Sequence, residues 1–194
     1  ACVAMIKRYV ERSKGHAFVL FTSYDSLRRA VEHLTPWMAQ QSLAIFSQAE
    51  GMPRSQMIER FKETPQSVLF GTDSFWQGVD VPGDALQLVI IAKLPFSVPD
   101  RPLLEGRFEA IRNSGGEPFR GYQLPEAVLK VKQGFGRLIR TRTDTGRVVI
   151  LAANLTQQPG RGAIGKIVGR LRHVAITAAR FEQHRAKPLE DRFH

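Results

Sequence analysis

The stretch Leu86-Gln87-Leu88-Val89-Ile90-Ile91 decides the fold class of this chain. It is apolar at every position except Gln87, so apolar and polar residues do not alternate along it. Because successive side chains of a strand point to opposite faces, such a run predicts a strand that is buried on both faces. Strands of this kind are typical of parallel sheets covered by helices, so the stretch predicts an α/β domain.

Alternating strands and helices surround this stretch. Short apolar runs rich in strand formers predict four further strands, at Ala17–Phe21, Leu43–Phe46, Ser67–Phe70 and Arg147–Leu151. Apolar residues at helical spacing predict helices at residues 1–13, from a cap at Ser23 or Asp25 through Leu34, from Pro53 through Phe61, at Leu103–Ile111 and from Pro125 onward. This order predicts βαβ units and a mostly parallel central sheet with helices on both faces.

The charge balance indicates a polyanionic partner. The 194 residues carry a formal net charge of +10, which favours nucleic acid but is shared by proteins that bind membrane surfaces. No apolar run approaches the ~20 residues that a membrane-spanning helix needs, so we expect no membrane partner. A basic peripheral membrane protein stays an alternative, although the sequence offers no convincing amphipathic anchor.

Metal-binding patterns are absent from the sequence. Cys2 is the only cysteine, so no intrachain disulfide and no cysteine-based cluster can form. The five histidines are scattered without ligand spacing, and we therefore expect no metal site in this chain. The N-terminus lacks the apolar segment of a signal peptide and does not begin with methionine, which suggests a piece of a longer protein.

The pattern changes beyond Asn154. Apolar residues at helical spacing predict a basic helix there, with a face formed by Ile164, Ile167, Val168, Leu171, Val174 and Ile176. We therefore divide the chain into an α/β domain at residues 1–152 and a basic C-terminal helical extension at residues 153–194. The extension is expected to pack on the domain or to be partly frayed.

Ligands of open parallel sheets bind at the carboxyl ends of the strands, where the loop at residues 71–80 is the most informative segment. The loop brings together the hydroxyl of Thr72, the carboxylates of Asp73 and Asp80 and the aromatic rings of Phe75 and Trp76. A hydroxyl or a backbone amide can hold a phosphate, and an aromatic ring can stack on a base. The alternative is a tight turn with Trp76 in the core and Asp73 capping a helix.

A second candidate site is the predicted helical stretch Gln133-Gly134-Phe135-Gly136-Arg137-Leu138-Ile139-Arg140. At about 100° per residue, Gln133, Arg137 and Arg140 share one face. The opposite face is apolar and comprises Leu124, Val128, Val131, Phe135, Leu138 and Ile139. Each glycine costs a helix roughly 1 kcal/mol relative to alanine, and a missing side chain lets a phosphate approach. The alternative is an ordinary amphipathic helix with a solvated basic face.

Several motifs of self-sufficient enzymes are missing. The sequence contains no Gly-x-x-x-x-Gly-Lys-Ser/Thr phosphate loop and no Asp-Glu pair of the kind that holds Mg²⁺ after a strand. It also has no serine elbow, and Cys2 has no obvious base. An enzyme complete in itself is therefore not expected. Arginines on a glycine-flanked face suit stabilisation of a phosphoryl group that another domain holds.

Three segments, in the expected order, resemble motifs of one family. Residues 21–24, 71–83 and 133–146 resemble motifs IV, V and VI of the DinG branch of the XPD/Rad3-like superfamily 2 helicases. The similarity covers about residues 15–151 and cannot be followed from Ala153 onward. It implies a RecA-like fold and the second motor domain of an ATP-dependent DNA helicase, with the first domain absent from this chain.

The resemblance also implies roles for individual residues. Arg137 and Arg140 would reach the ATP phosphates across the cleft between two motor domains, with Gln133 supporting them. The same cleft would be bordered by Gly78 and Asp80. Single-stranded DNA would be faced by Ser23, Tyr24, Thr72 and, as a weaker candidate, Trp76.

Cofactors and partners follow from the same resemblance. ATP and Mg²⁺ would be bound mainly by the first motor domain, and an iron–sulfur cluster would belong to the parent protein and not to this chain. The implied partners are single-stranded or forked DNA and the N-terminal RecA-like domain of the same polypeptide, in a bacterial cytoplasm at the nucleoid. The isolated chain is expected to be inactive. The alternatives are a non-enzymatic nucleic-acid-binding or regulatory module with this fold, or a DinG-related nuclease subunit.

Overall fold

The computed structural model describes residues 2–72, 75, 81, 85–97, 102–135, 146–151 and 174–179. Its helices are Cys2–Ser13 (α1), Tyr24–Gln40 (α2), Arg54–Glu63 (α3), Pro102–Asn113 (α4) and Leu124–Phe135 (α5). Its strands are Ala17–Leu20 (β1), Ala44–Ser47 (β2), Ser67–Gly71 (β3), Leu88–Ile91 (β4), Gly146–Leu151 (β5) and Val174–Ala179 (β6). A short 3₁₀ turn, Gln48–Glu50, follows β2, and a π-helical turn, Phe119–Gln123, precedes α5. None of the described helices is both long enough and apolar enough to cross a membrane.

The strands of the described residues form one parallel sheet in the order β2-β3-β1-β4-β5-β6. Strand β4 pairs with β1 on one side and with β5 on the other, and all four of its residues are buried. The predicted α/β fold with a mostly parallel sheet is therefore confirmed. The strand that the apolar stretch predicts is two residues shorter, because Leu86 and the exposed Gln87 precede it.

Alternating side chains of β1 and β4 divide the core into two layers. Phe18 and Val89 point to the layer that includes α3 and α5, whereas Val19 and Ile90 point to the layer that includes α1 and α2. Helices therefore cover both faces of the sheet, as the predicted βαβ order requires. The predicted inner face of α3 is confirmed, since its three apolar residues Met57, Ile58 and Phe61 are buried.

Residues 174–179 correct the predicted C-terminal helix. Helical spacing placed Val174 and Ile176 on that helix, but this prediction is wrong because both residues belong to β6. The backbone of β6 pairs in parallel with β5, from Gly146 opposite Val174 to Leu151 opposite Ala179. Pairing with a buried strand outweighs a helical pattern in a segment of β-branched residues. The other residues of the predicted extension lie outside the described ranges, so the domain division at residue 152 stays a prediction.

Gly15 lets the chain turn from α1 into β1. Its φ angle of 85° lies in the left-handed region, which favours glycine. A Cβ atom at this position would lie only 2.6 Å from the backbone carbon of Gln66, in the turn that precedes β3. The turn therefore requires glycine for two reasons, its backbone conformation and the closeness of a neighbouring chain segment.

We expect Gly15→Ala to lower the free energy of unfolding more than Gly51→Ala does. Gly51 has a similar φ angle of 74°, but a Cβ atom there would meet nothing within 4 Å. Gly51→Ala should therefore cost about 1–2 kcal/mol from the backbone alone, and Gly15→Ala should add about 1–3 kcal/mol of overpacking. Denaturant titration of the 194-residue chain measures both, and equal losses would contradict the crowding at Gly15.

Candidate functional site

The candidate site lies at the carboxyl ends of the parallel strands, which all lie at the same end of the sheet. We call this surface the carboxyl edge and define it by residues 21–24, 47–48, 71–72 and 92–93, which end or follow β1, β2, β3 and β4. It includes three of the four residues that the resemblance assigns to DNA contact. Ser23, Tyr24 and Thr72 therefore lie on the same side of the sheet, as predicted.

Ser23 caps α2. Its Oγ atom accepts a hydrogen bond from the backbone N–H of Ser26 at 3.3 Å and lies 2.8 Å from the Oγ atom of Ser26. The predicted cap is thus Ser23 and not Asp25, whose carboxylate instead pairs with Arg29 at 2.8 Å and Arg28 at 3.4 Å. Part of the hydrogen-bonding capacity of Ser23 is therefore structural.

Gln48 joins two of the predicted DNA-facing residues. Its Oε1 atom accepts hydrogen bonds from the backbone N–H of Thr72 at 3.0 Å and from the hydroxyl of Thr72 at 2.8 Å. Its backbone carbonyl accepts a longer bond, 3.4 Å, from the hydroxyl of Tyr24. The sequence alone indicates no role for Gln48 beyond its position after a predicted strand, because it does not show that β2 and β3 are neighbours.

Phe75 belongs to the core and not to a stacking surface. Its ring is 1% exposed and packs edge-on against Phe18, with ring centres 6.0 Å apart. A Cβ atom on Gly71 would lie 2.7 Å from Cγ of this ring, so the glycine at the end of β3 makes room for it. The guanidinium of Arg54 lies 5.3 Å from the ring centre, within the range of a cation–π contact.

A cavity of about 400 Å³ opens at the ends of β1 and β4. Its apolar wall includes Phe21 and Ala92, and its polar lining includes Arg29, His33 and Lys93. Arg29 and Lys93 are both exposed. Arg29 pairs with Asp25, whereas Lys93 adds an exposed positive charge to the cavity at the carboxyl edge.

Helix α5 carries the second candidate site. Ala127 and Val131 are buried, and Val131 belongs to the core layer beside α3. Leu124 and Val128 of the predicted stripe are only half-buried, and Leu129 is exposed. The buried face is therefore rotated from the predicted one. Two contacts of the π-helical turn hold the start of α5. Gln123 Nε2 donates a hydrogen bond to the carbonyl of Ser97 at 2.6 Å. Phe119 packs on Phe96, with ring centres 5.5 Å apart.

Gln133 is half-buried near the end of α5. Its Oε1 atom is buried and has no hydrogen-bond partner among the described residues. A buried amide oxygen without a hydrogen-bond donor typically lowers stability by about 1–3 kcal/mol. The Oε1 atom of Gln133 can still accept a hydrogen bond.

The remaining predicted site residues lie outside the described residues, namely Trp76, Gly78, Asp80, Arg137 and Arg140. Their roles stay predictions, and so do those of Gln133, Ser23, Tyr24 and Thr72. Within the described ranges, no three His, Cys, Asp or Glu residues are grouped to hold a metal ion. Burial raises the pKa of the Cys2 thiol above its usual value, which disfavours the reactive thiolate.

Residues 6–168 match the helicase C-terminal domain family, which is well over half of the chain. The chain belongs to this family. The match is wider at both ends than the motif pattern. Together with the relatives described next, it confirms the resemblance to DinG-type helicases. Residues 21–24 and 71–72, which belong to the segments that resemble motifs IV and V, lie on the carboxyl edge described above.

Relatives of this helicase C-terminal domain carry helicase and nuclease names. The Haemophilus influenzae protein "ATP-dependent DNA helicase YoaA" is 50% identical over 141 residues, which are 73% of this chain and 21% of that protein. The Bacillus subtilis protein "3'-5' exonuclease DinG" is 40% identical over 149 residues, which are 74% of this chain and 16% of that protein. This chain therefore spans only about a fifth of the length of these relatives.

Solved structures support the RecA-like fold. The chain titled "XPD_Helicase" superposes with a TM-score of 0.62 at 17% identity and covers 91% of this helicase domain, which in turn covers 32% of that chain. The second domain of a DEAD-box helicase, Mss116p, superposes with a TM-score of 0.54 at 14% identity, over 93% of this chain and 57% of that one. At these identities the likeness concerns the fold alone.

We expect Ser23→Ala to lower the free energy of unfolding by about 1 kcal/mol, because it removes the cap of α2. Ser23→Asp should keep most of the stability, since aspartate is an equally good cap and its charge favours a helix N-terminus. Denaturant titration of the 194-residue chain compares the two. Equal stability of Ser23→Ala and the unchanged chain would show that the cap contributes little.

Proposed function

We propose that this helicase C-terminal domain is the second motor domain of an ATP-dependent DNA helicase. In this proposal its carboxyl edge contacts single-stranded DNA, and Arg137 and Arg140 act on ATP that a first motor domain holds. The observation that carries the proposal is the gathering of Ser23, Tyr24 and Thr72 on one edge of the sheet, in a member of the helicase C-terminal domain family. The DNA helicase names of the relatives support the choice of DNA.

The carboxyl edge has the groups that a single strand needs. The ring of Tyr24 is 49% exposed, and an exposed aromatic ring stacks on bases of any sequence. Lys93, which is exposed after β4, adds positive charge to the same carboxyl edge, which suits the phosphate backbone. Trp76 is proposed as a further stacking residue of the loop that follows β3.

The unpartnered oxygen of Gln133 supports the arginine proposal. An amide oxygen accepts hydrogen bonds and an arginine guanidinium only donates them, so the Oε1 atom of Gln133 is suited to supporting an arginine. Arg137 and Arg140 would stabilise negative charge on the phosphoryl group during transfer to water. Gly78 and Asp80 are proposed to border the same nucleotide cleft, whereas ATP and Mg²⁺ would be held mainly by the first domain.

A chimera tests the arginine role. This chain would replace the matching residues of the Haemophilus influenzae relative, so that a first motor domain is present. We expect DNA-stimulated ATP hydrolysis in the chimera and essentially none in the isolated chain. Arg140→Ala or Arg137→Ala should lower turnover by about 10³-fold or more, because arginine fingers contribute about 10³–10⁵ to the rate. The readout is phosphate release with and without single-stranded DNA.

Arg112→Ala is the matched control, because Arg112 is exposed at the end of α4. It should leave turnover unchanged. Turnover of Arg140→Ala within tenfold of the unchanged chimera would contradict the arginine role. A chimera that binds single-stranded DNA without hydrolysing ATP would favour the non-enzymatic nucleic-acid-binding module.

Lys93→Glu should weaken binding of single-stranded DNA and reduce its salt dependence. For single strands, each lost phosphate contact flattens the slope of log affinity against log salt by about 0.7. Arg147→Glu makes the same charge change at the exposed start of β5, on the opposite edge of the sheet, and should have a much smaller effect. Fluorescence anisotropy with a labelled single strand at several salt concentrations measures both. Equal effects would mean that net charge, and not the carboxyl edge, governs binding.

A DNA-degrading role is the second candidate, favoured by the exonuclease name of the Bacillus subtilis relative. Incubation of this chain with end-labelled single-stranded DNA and Mg²⁺ separates the two candidates. Progressive shortening of the strand would support the nuclease, whereas intact DNA together with ATP hydrolysis by the chimera would support the motor domain.

A further inference from the structure

Gln48 lies where three strand ends meet. In the order β2-β3-β1, strand β3 lies between the other two. Thr72, which follows β3, is therefore a direct neighbour of Gln48, whereas Tyr24 reaches Gln48 from the end of β1 across the end of β3. A single residue after an edge strand thus contacts both of the other strand ends.

Thr72 gives both of its hydrogen-bond donors to one atom of Gln48. The N–H and the hydroxyl of Thr72 lie 3.0 Å and 2.8 Å from Gln48 Oε1. An amide oxygen cannot donate, so Thr72 must be the donor in both bonds, and the backbone N–H fixes the orientation of the Gln48 amide. A threonine has no other donor. Because phosphate oxygens act as acceptors in such contacts, Thr72 offers a phosphate no donor in this arrangement.

The hydrogen bonds between Thr72 and Gln48 also hold the start of the loop that follows β3. Thr72 is the first residue after β3, so the two bonds to Gln48 fix the point at which the chain leaves the sheet. Thr72 is therefore better suited to anchoring a loop than to holding a phosphate.

We propose that Gln48 is a positioning residue of the carboxyl edge: it anchors Thr72 and leaves Tyr24 as the side chain that a single strand meets. This inference rests on the proposed contact between the carboxyl edge and single-stranded DNA. It gives Thr72 an indirect role through Gln48. The hydroxyl of Tyr24 reaches the Gln48 carbonyl at 3.4 Å, which is long for such a bond, so it biases the ring without locking it.

A double-mutant cycle tests the proposal in the 194-residue chain. Gln48→Met removes the acceptor and Thr72→Val removes the hydroxyl, both at nearly constant volume. We expect each to weaken binding of a fluorescein-labelled oligothymidine strand roughly two- to tenfold, the usual size for one hydrogen-bonded contact. The double variant should be weakened about as much as either single variant, because both changes disrupt the same unit. Tyr24→Leu should weaken binding roughly fivefold or more through lost stacking.

Each alternative outcome is distinct. Losses that multiply in the double variant would mean that Thr72 contacts DNA by itself, and unchanged affinity in Gln48→Met would mean that Gln48 does not position the edge. Coupling that appears only in denaturant unfolding, with unchanged DNA affinity, would reduce the pair to a structural role. Any of these overturns the proposal.

Gln48→Glu provides a second variant in case Gln48→Met does not fold. Its carboxylate still accepts both bonds from Thr72, so the geometry should be kept while the added charge repels phosphate. We expect its affinity to approach that of the unchanged chain as salt is raised, since salt screens the charge. A loss that persists at high salt would contradict the positioning role. If the unchanged chain and the chimera both fail to bind the oligonucleotide, the proposed function itself fails.

Discussion

Burial of β1 and β4 on both faces is the constraint on which the rest of this structure depends. The eight residues of these two strands are all buried, and their alternating side chains supply both core layers. Exposing the side chains of these two strands to water would cost about 0.8 kcal/mol for each buried CH₂ group. Helices must therefore cover both faces, and the connections must cross over the sheet so that all strands run in one direction. The carboxyl edge follows from this burial.

The polar residues of the carboxyl edge have structural partners of their own. Ser23 caps α2, Thr72 is held by Gln48, and Asp25 pairs with arginines one turn further along α2. A substitution here changes both the local backbone and the surface that a ligand would meet. DNA affinities of variants at this edge should therefore be compared with the free energies of unfolding of the same variants. Each cap or hydrogen bond contributes roughly 1 kcal/mol to stability.

Local sequence patterns predicted the helices and strands of this fold better than they predicted which strands lie next to each other. The apolar run at residues 86–91 and the cap of α2 depend only on nearby residues, so the strand was predicted with two extra residues and the cap was narrowed to Ser23 or Asp25. Strand order was not predictable, because pairing joins residues far apart in sequence, and without it the contact between Gln48 and Thr72 could not be found. Residues 174–179 were assigned to a helix because helical spacing carries no information about the free edge of β5. Likewise, the buried face of α5 shifted towards the small Ala127, which packs closely although it adds little to an apolar pattern.

Gly71 and Phe75 have a consequence for how this sequence can change over time. The ring of Phe75 fills the space that a side chain at position 71 would need, with Cγ, Cβ and Cδ2 all within 3.0 Å of that space. A larger residue at 71 is acceptable only after the ring at 75 has become smaller, and a smaller residue at 75 first leaves a cavity beside Phe18. Both single steps lower stability, so the two positions must diverge together. Many neighbouring positions can thus change by single substitutions, but positions 71 and 75 can change only by two substitutions that compensate each other.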